Sequence, residues 1–586
     1  MAIFQFKENS EIGTVFSVDT ATLIVKVDEL EKLRKLQVNH LVAIVSSKAG
    51  QHLIGIINRI TRKMSDDKET SDEDSPFGSF FLTENIIKVN LIGTLMDKYG
   101  SKENVFKRNL DTVPEIEAKC FHIDGENMTK FMTTISNQEY ETPLTIGKYS
   151  IDANATAFLD GDKLFQRHAV IVGSTGSGKS WCVAKFIEQI AKLSSANCIL
   201  FDIHGEYSGE NFKMNGIQHL RVANPSDLGK TGNLENNVLM LPYWLLTYEE
   251  MLAMLLDRSD SNAPNQAMLF SKTVFDEKEK YLDSDDKNKE FKGSITIDSP
   301  VPYKLNSVLA ELKRLDEKMV AGAKAGTEKQ GTFFGKLTRF VQRLEAKQQD
   351  KRMGFLFQIS EDELKIDWMN DFCKRLMSSS EKSEQKAGVK IIDFSEVPSD
   401  VLPLIISLVA RIIFAVQQWT NKENQHPIAL LCDEAHLYIP ERTNQDATSE
   451  LGLKSFERIA KEGRKYGVSL VVISQRPSEV NHTVLSQCNN FISLRLTNVE
   501  DQSVIKKLLP DNLAGLTEVL PILDIGEALV VGDASLLPTR VQIDEPTIKP
   551  DSVTIKFWEI WSKKDAKQDI ENAVKSLRKQ AKPHYE

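Results

Sequence analysis

Two hydrophobic rhythms divide the chain. Between about residues 11 and 135, short apolar runs (IGTVFSVDTATLIVKVD, HLVAIVSS, HLIGIINRITRK, IIKVNLIGTL, EIEAKCFHI) are separated by polar or glycine-containing breaks. Several strands in succession without intervening helices predict a small barrel or sandwich. After Tyr149 the rhythm changes to near-continuous apolar runs alternating with helical spacing: HAVIVG (168–173), CILFDI (198–203), VKIIDF (389–394), IALLCDE (428–434), VSLVVIS (468–474), FISLRL (491–496) and EALVVG (527–532). Runs that are apolar on both faces and joined by helices predict a parallel sheet covered on both sides, an α/β architecture.

Breaks in these rhythms predict the domain plan. KMSDDKETSDEDS (63–75) is too polar to be core and is expected as an exposed loop. Residues 242–386 interrupt the strand series with helical spacing and charged linkers such as DEKEKYLDSDDKNKE, too long for a loop and therefore a helical insertion. The expected plan is a β-rich domain over 1–140, an α/β core over 141–241 and 387–550, the insertion over 242–386, and a Lys-rich helical tail over 551–586.

The first α/β run leads into Gly173-Ser174-Thr175-Gly176-Ser177-Gly178-Lys179-Ser180, which satisfies GxxxxGK[ST], and then into the helical pattern WCVAKFIEQIAKL. Strand, glycine-rich turn and helix form the context in which backbone N–H groups cradle phosphate, Lys179 reaches the β- and γ-oxygens, and the Ser180 hydroxyl ligates Mg²⁺. Leu430 to Cys432 end a second strand at Asp433 and Glu434. Asp433 would hold the Mg²⁺ shell through water and Glu434 would polarise the attacking water. Gln475 follows the next strand, at the edge where α/β sheets bind ligands, and would sense the γ-phosphate or position water.

Composition narrows the class. The 586 residues, at roughly one to two hundred per domain, imply two to four domains. Apolar residues at 41% and charged residues at 27% are ordinary globular usage, which excludes collagen, rods and long disordered tracts. A net charge of -10 excludes a surface that binds polyanions everywhere, so any nucleic-acid contact must be local. The six cysteines lack CxxC or His-linked spacing and are expected as buried free thiols in a reducing compartment. The N-terminus lacks a signal-peptide pattern, and the apolar passage 401–416 is shorter than the roughly 18 residues of a membrane span, so a cytoplasmic protein is expected.

The strings RHAVIVGSTGSGKS, FDIHGEY, LPYWLLTYEE, LLCDEAHLY, ERIAKEGRKYGVSLVVISQRPSEV and NNFISLRLTN together resemble the HerA branch of the HerA/FtsK ATPases, and the N-terminal β-rich segment is similar to that family's small barrel. The resemblance implies a RecA-like motor assembling as a homo-hexameric ring, ATP and Mg²⁺ between neighbouring subunits, and double-stranded DNA in the pore. It implies nucleotide contacts at Lys179 and Ser180, the acidic pair at Asp433 and Glu434, and a sensor at Gln475. It also implies an arginine acting in trans from ERIAKEGRKYG, either Arg458 or Arg464, with Arg464 preferred. Such a residue completes charge neutralisation only when the next subunit docks.

Two positions depart from the family pattern. Ile203 stands before His204 where relatives carry proline, and Trp181 replaces a small or polar residue after the phosphate loop. His204 would sit near nucleotide or the subunit seam, or serve the turn; Trp181 would stack near the base or pack.

The favoured activity is an ATP-driven duplex DNA translocase or helicase. The resemblance further implies a partner on the N-terminal barrel, a nuclease for end processing or an effector such as a sirtuin-like NAD hydrolase in phage defence. DNA-facing bases are sought between Lys336 and Lys351 and around Lys506 and Lys507. The competing readings are a nucleotide-gated scaffold that assembles and activates a partner, and a secretion-type pump ATPase.

Overall fold

The computed structural model describes residues 3–7, 10–19, 21–64, 83–100, 102–110, 112–135, 143–150, 152–321, 326–378, 388–442, 447–509, 511–535, 537–552, 555–563 and 569–580. Of the charged stretch 63–75, all beyond Met64 lies outside these, as do the expected domain junctions at 140/141 and 386/387. The chain forms two compact units, one comprising Met1–Leu164, Asn490–Arg495 and Ile522–Asp544, the other Phe165–Asn489, Leu496–Pro521 and Glu545–Glu586.

In the first unit, Glu11–Asp19, Lys119–His122, Leu41–Val45, Gln51–Met64 and Thr83–Tyr99 pair in succession, and Thr22–Lys26 pairs with both Glu11–Asp19 and Thr83–Tyr99. That double pairing closes a six-stranded barrel, and Lys102–Lys107 adds outside it along Thr83–Tyr99. Closure removes the strand edges that would otherwise invite aggregation. Register shifts at Ile54/Gly55 and Ile57/Arg59 bend the long hairpin enough to serve both walls. Val15, Leu23, Val25, Val42, Ile44, Leu53, Ile57, Ile87 and Val89 fill the interior.

The same unit holds five antiparallel strands in the order Asn490–Leu494, Glu527–Gly532, Thr539–Ile543, Leu144–Tyr149, Asp152–Leu159. Because 491–496 and 527–532 pair antiparallel with each other, they do not both run parallel with the other apolar strands, as the sequence pattern suggests. A continuous apolar run reports burial on both faces and carries no information about strand direction.

The second unit is an α/β layer of seven parallel strands in the order Val238–Leu239, Ile217–Val222, Val389–Asp393, Cys198–Asp202, Ile428–Cys432, Val468–Ser474, Ala169–Val172. The five runs that the hydrophobic pattern marks stand side by side, from Val389–Asp393 to Ala169–Val172. Ile217–Val222, with only two buried residues, is a strand the hydrophobic pattern does not reveal.

Leu402–Trp419 is long and apolar enough to cross a membrane, yet 72% of that window is buried, and it packs along Ala447–Tyr466 as a core helix. Arg411, the charge in its apolar run, donates to both Glu250 carboxylate oxygens at 3.0 and 2.8 Å and to the Leu245 carbonyl at 2.8 Å. Glu250 also closes a capping box with Thr247 at the start of Tyr248–Leu255.

Between 242 and 386 the chain forms the helices Ala263–Asp283, Leu305–Asp316, Thr338–Gln349 and Trp368–Met377 around Phe270, Phe340, Leu344 and Phe372. The tail carries Phe557–Trp561 and Ile570–Lys579, neither of which buries a residue. All six cysteines are free; five are buried and Cys373 is half-buried.

Candidate functional site: a phosphate loop facing a strand-end acid pair

Ala169–Val172 delivers the chain to Gly173, and the loop turns through Gly176 at φ +75° and Gly178 at φ +97° before the helix Lys179–Ala191 begins. Those left-handed angles are open to glycine and strained for other residues, so the two glycines set the turn. Gly178 caps the helix without any side-chain hydrogen bond, leaving the first-turn amides to an outside acceptor. Ser177 Oγ is buried and has no hydrogen-bond partner among the described residues.

Lys179 lies on the first turn with its side chain 5% exposed. Its Nζ is 2.8 Å from Glu434 Oε1 and 3.2 Å from Asp433 Oδ1. Burial opposes the ammonium charge, but the two carboxylates outweigh it and hold the lysine pKa above its ordinary value. Asp433 and Glu434 stand at the end of Ile428–Cys432. Burial pushes the Asp433 carboxyl up, helped by Glu434 and Glu206. Burial acts the same way on Glu434, but Lys179 and the Gln475 amide overcome it and keep that carboxyl below its usual range.

Glu434 also has φ +44°, a left-handed backbone at a non-glycine position. Strain of this kind persists where the surrounding structure over-determines a residue, and such positions cluster at functional sites. Gln475, one residue past Val468–Ser474, donates from Nε2 to Glu434 Oε1 at 2.7 Å and accepts from Thr175 Oγ1 at 2.6 Å. A hydrogen-bonded chain thus runs from the phosphate loop through the amide to the acid.

On the other flank, Ser180 Oγ donates to Glu206 Oε2 at 2.8 Å. The Glu206 loop is shaped by buried Asp202, whose carboxylate accepts the N–H groups of Gly205, Glu206 and Tyr207 and the Ser208 hydroxyl. Burial pushes the Asp202 pKa up to about 7. His204 points into solvent from this loop and has no hydrogen-bond or ion-pair partner among the described residues. Trp181 is 38% exposed beside Ser180, with Lys549 Nζ 5.3 Å from its ring centroid.

The donor set suits a hard divalent cation, which prefers oxygen ligands. Asp433 Oδ2 and Glu434 Oε2 are buried without hydrogen-bond partners among the described residues, and the Ser180 hydroxyl stands on the first helical turn beside Lys179, which contacts both acids. The oxygen donors present therefore suit Mg²⁺.

The two candidate arginines lie apart from this cluster on Ala447–Tyr466, both exposed. Arg458 is engaged within its own chain: Nε is 3.5 Å from Glu462 Oε2, NH2 is 3.1 Å from Gln418 Oε1, and the guanidinium is 5.0 Å from the Phe414 ring centroid. Arg464, in the last turn, has no hydrogen-bond or ion-pair partner among the described residues. That turn leads into the start of Val468–Ser474, whereas Gln475 follows the end of the same strand. At about 3.3 Å per residue, the strand sets Arg464 roughly 20 Å from its own phosphate site.

Sequence reasoning missed Glu206 and His436. Glu206 stands inside FDIHGEY, two residues past His204. His436 Nδ1 is 3.4 Å from Glu434 Oε2 and 3.2 Å from Ser474 Oγ. A polar residue two positions past a strand-end acid was the available signal for it.

The model of the central domain of helicase HerA matches residues 144–413. The DNA double-strand break repair helicase HerA of Pyrococcus furiosus is 25% identical over 432 residues, 68% of this chain and 69% of that protein. A probable helicase of Methanocaldococcus jannaschii is 24% identical over 569 residues, 91% of this chain and 95% of its own length. Among solved structures, VirB4 of Thermoanaerobacter pseudethanolicus aligns at a TM-score of 0.43 and 14% identity, covering 69% of this chain and 97% of its own.

Proposed function

We propose that the chain, which is similar over residues 144–413 to the central domain of helicase HerA, is an ATP-hydrolysing P-loop enzyme and a ring-shaped motor that moves or unwinds duplex DNA. The observation that carries this reading is the convergence of Lys179, Asp433, Glu434, Gln475 and Thr175 beside the free amides that open Lys179–Ala191.

In this reading the amides of Gly173 to Ser180 and the Lys179 ammonium bind the ATP phosphates. Ser180 and Asp433 hold Mg²⁺, which when bound neutralises charge on the transferring phosphoryl group. Glu434, released from Lys179 when the lysine turns to phosphate, orients and deprotonates the attacking water. Gln475 links Thr175 in the phosphate loop to Glu434, so it registers whether phosphate occupies the loop. Trp181 and His204 lie toward the outer side of the site.

Arg464 is unengaged and distant from its own site, which favours its acting on the nucleotide of a neighbouring copy in a homo-hexamer. Arg458, already satisfied in its own chain, is the second candidate. The similarity to DNA double-strand break repair helicases supports DNA as the substrate, and phosphate contact without base readout suits a motor that passes any sequence. The barrel is the proposed dock for a nuclease or a sirtuin-like NAD hydrolase, for DNA end processing or phage defence. The free thiols suit a reducing cytoplasm.

The scaffold reading is favoured by one observation. Two of the three bases of the Thr338–Gln349 helix are paired with acids, Arg343 with Asp257 at 2.7 Å and Lys347 with Asp400 at 3.7 Å, which leaves less free charge for phosphates. ATP hydrolysis with and without duplex DNA, alongside the mass of the assembly, tests the proposal. Strong DNA stimulation in a six-subunit particle supports the motor; hydrolysis indifferent to DNA and switched by a partner protein supports the scaffold.

A further inference from the structure

A segment from near the C-terminus reaches the phosphate loop. The Thr547 N–H donates to Glu188 Oε2 at 2.8 Å; Glu188 is buried on the phosphate-loop helix and also holds Lys192 at 2.9 Å. Two residues on, Lys549 Nζ stands 5.3 Å from the Trp181 ring centroid while pairing with Glu545 at 2.7 Å. Two further on, the Asp551 N–H donates to the Glu206 carbonyl at 2.6 Å. The segment is anchored at one end on the helix that carries Lys179 and at the other on the residue whose carboxylate receives Ser180.

Trp181 explains what this segment can do. It directly follows Ser180, and side chains on a helix tilt toward its N-terminus, so the indole lies on the loop side and not deeper along the helix. Lys179 and the acid pair occupy the γ-phosphate end, which leaves the indole at the base end of a bound nucleotide. A large ring left 38% exposed there, with a cation over its face, offers a stacking surface for a planar base and a positive group for the ribose and α-phosphate side.

We propose that residues 545–551 form the base-side wall of the nucleotide site, with Trp181 stacking on the base and Lys549 contacting the nucleotide beside it. This rests on the nucleotide site proposed above. It makes nucleotide affinity depend on a segment more than 350 residues from the phosphate loop, through the Thr547 and Asp551 amides that seat it.

The test compares ATP with inorganic tripolyphosphate, which carries phosphates but no base, on the full chain. Trp181→Ala and Lys549→Ala are expected to raise KM for ATP about tenfold, with a smaller change in kcat and no loss of competitive inhibition by tripolyphosphate. Trp181→Phe should restore most of the affinity, and Thr547→Pro, which deletes the anchoring N–H, should reproduce the ATP defect. Equal weakening of ATP and tripolyphosphate would make the segment merely structural and overturn the proposal, as would an unchanged KM for ATP. A wild-type chain without ATP hydrolysis would instead remove the enzyme reading on which this one stands.

Discussion

Lys179 Nζ lies 2.8 Å from Glu434 Oε1, so the lysine proposed to bind phosphate and the acid proposed to activate water neutralise each other. Only a group that competes for the ammonium can release the carboxylate, and the ATP phosphates are such a group. The arrangement ties the proposed activation of Glu434 to substrate binding.

Lys179→Ala is expected to abolish ATP binding in isothermal titration. It also strands two buried carboxylates, a cost of about 3 kcal/mol, so the thermal midpoint should fall. A variant that binds ATP normally would refute the phosphate role.

Glu434→Gln keeps the side chain's size and removes its basicity. ATP should still bind and remain trapped, with kcat down at least about a hundredfold. Normal turnover in a steady-state assay would remove Glu434 from the chemistry.

Gln475→Ala cuts the link between Thr175 and Glu434 without touching a charge. Its expected signature is a kcat lowered roughly tenfold with a nearly unchanged nucleotide Kd, while Thr175→Ala should produce a milder form. A loss confined to binding would contradict the sensor role.

His168 predicts acid sensitivity. Its Nδ1 accepts the Leu470 N–H at 2.9 Å and its Nε2 donates to the Ala460 carbonyl at 3.1 Å, an arrangement only the neutral ring can make. Burial lowers its pKa from the ordinary 6.5 to about 4, and burial together with the stacked His122 does the same to His40. A histidine depressed in the folded state contributes stability above pH 6.5 that is lost as pH falls toward 4. For His168 the full loss is roughly 3 kcal/mol. Thermal midpoints measured between pH 4 and 8 should drop on the acid side, and less so in His168→Asn.

Mixing Glu434→Gln subunits with Arg464→Ala subunits should restore hydrolysis at seams that join an intact acid to an intact arginine. Arg458→Ala should cost less, because its contacts are to its own chain and an exposed pair of this kind is worth at most about 1 kcal/mol. Absence of rescue at every mixing ratio would place the arginine's action within its own subunit, or nowhere.

The phosphate loop was legible because every condition for it is local: an apolar strand, glycines where φ turns positive, and a helix starting at Lys179. The acid pair and Gln475 were legible for a related reason, since each ends an apolar strand that the residue pattern marks. Glu206 was not, because the sequence shows only an acid after a turn and nothing of the Asp202 carboxylate that folds the loop onto Ser180. Nor was the antiparallel pairing of Asn490–Leu494 with Glu527–Gly532, since hydrophobicity marks a buried strand without its direction.

The sequence by itself determined the local chemistry: the glycine-rich turn, the hydroxyl and ammonium at the head of a helix, and acids at strand ends. Backbone sterics and periodicity act over a few residues, so their signature survives in the linear chain. The tertiary structure decided which of these groups meet. Thr175 reaches Gln475 across 300 residues and Lys179 reaches Glu434 across 255, because the parallel order of the sheet brings the ends of three strands to one edge. It also brought Lys549 to Trp181 and left Arg464 unengaged. Such meetings depend on strand order and long-range closure, which no local pattern of residues encodes.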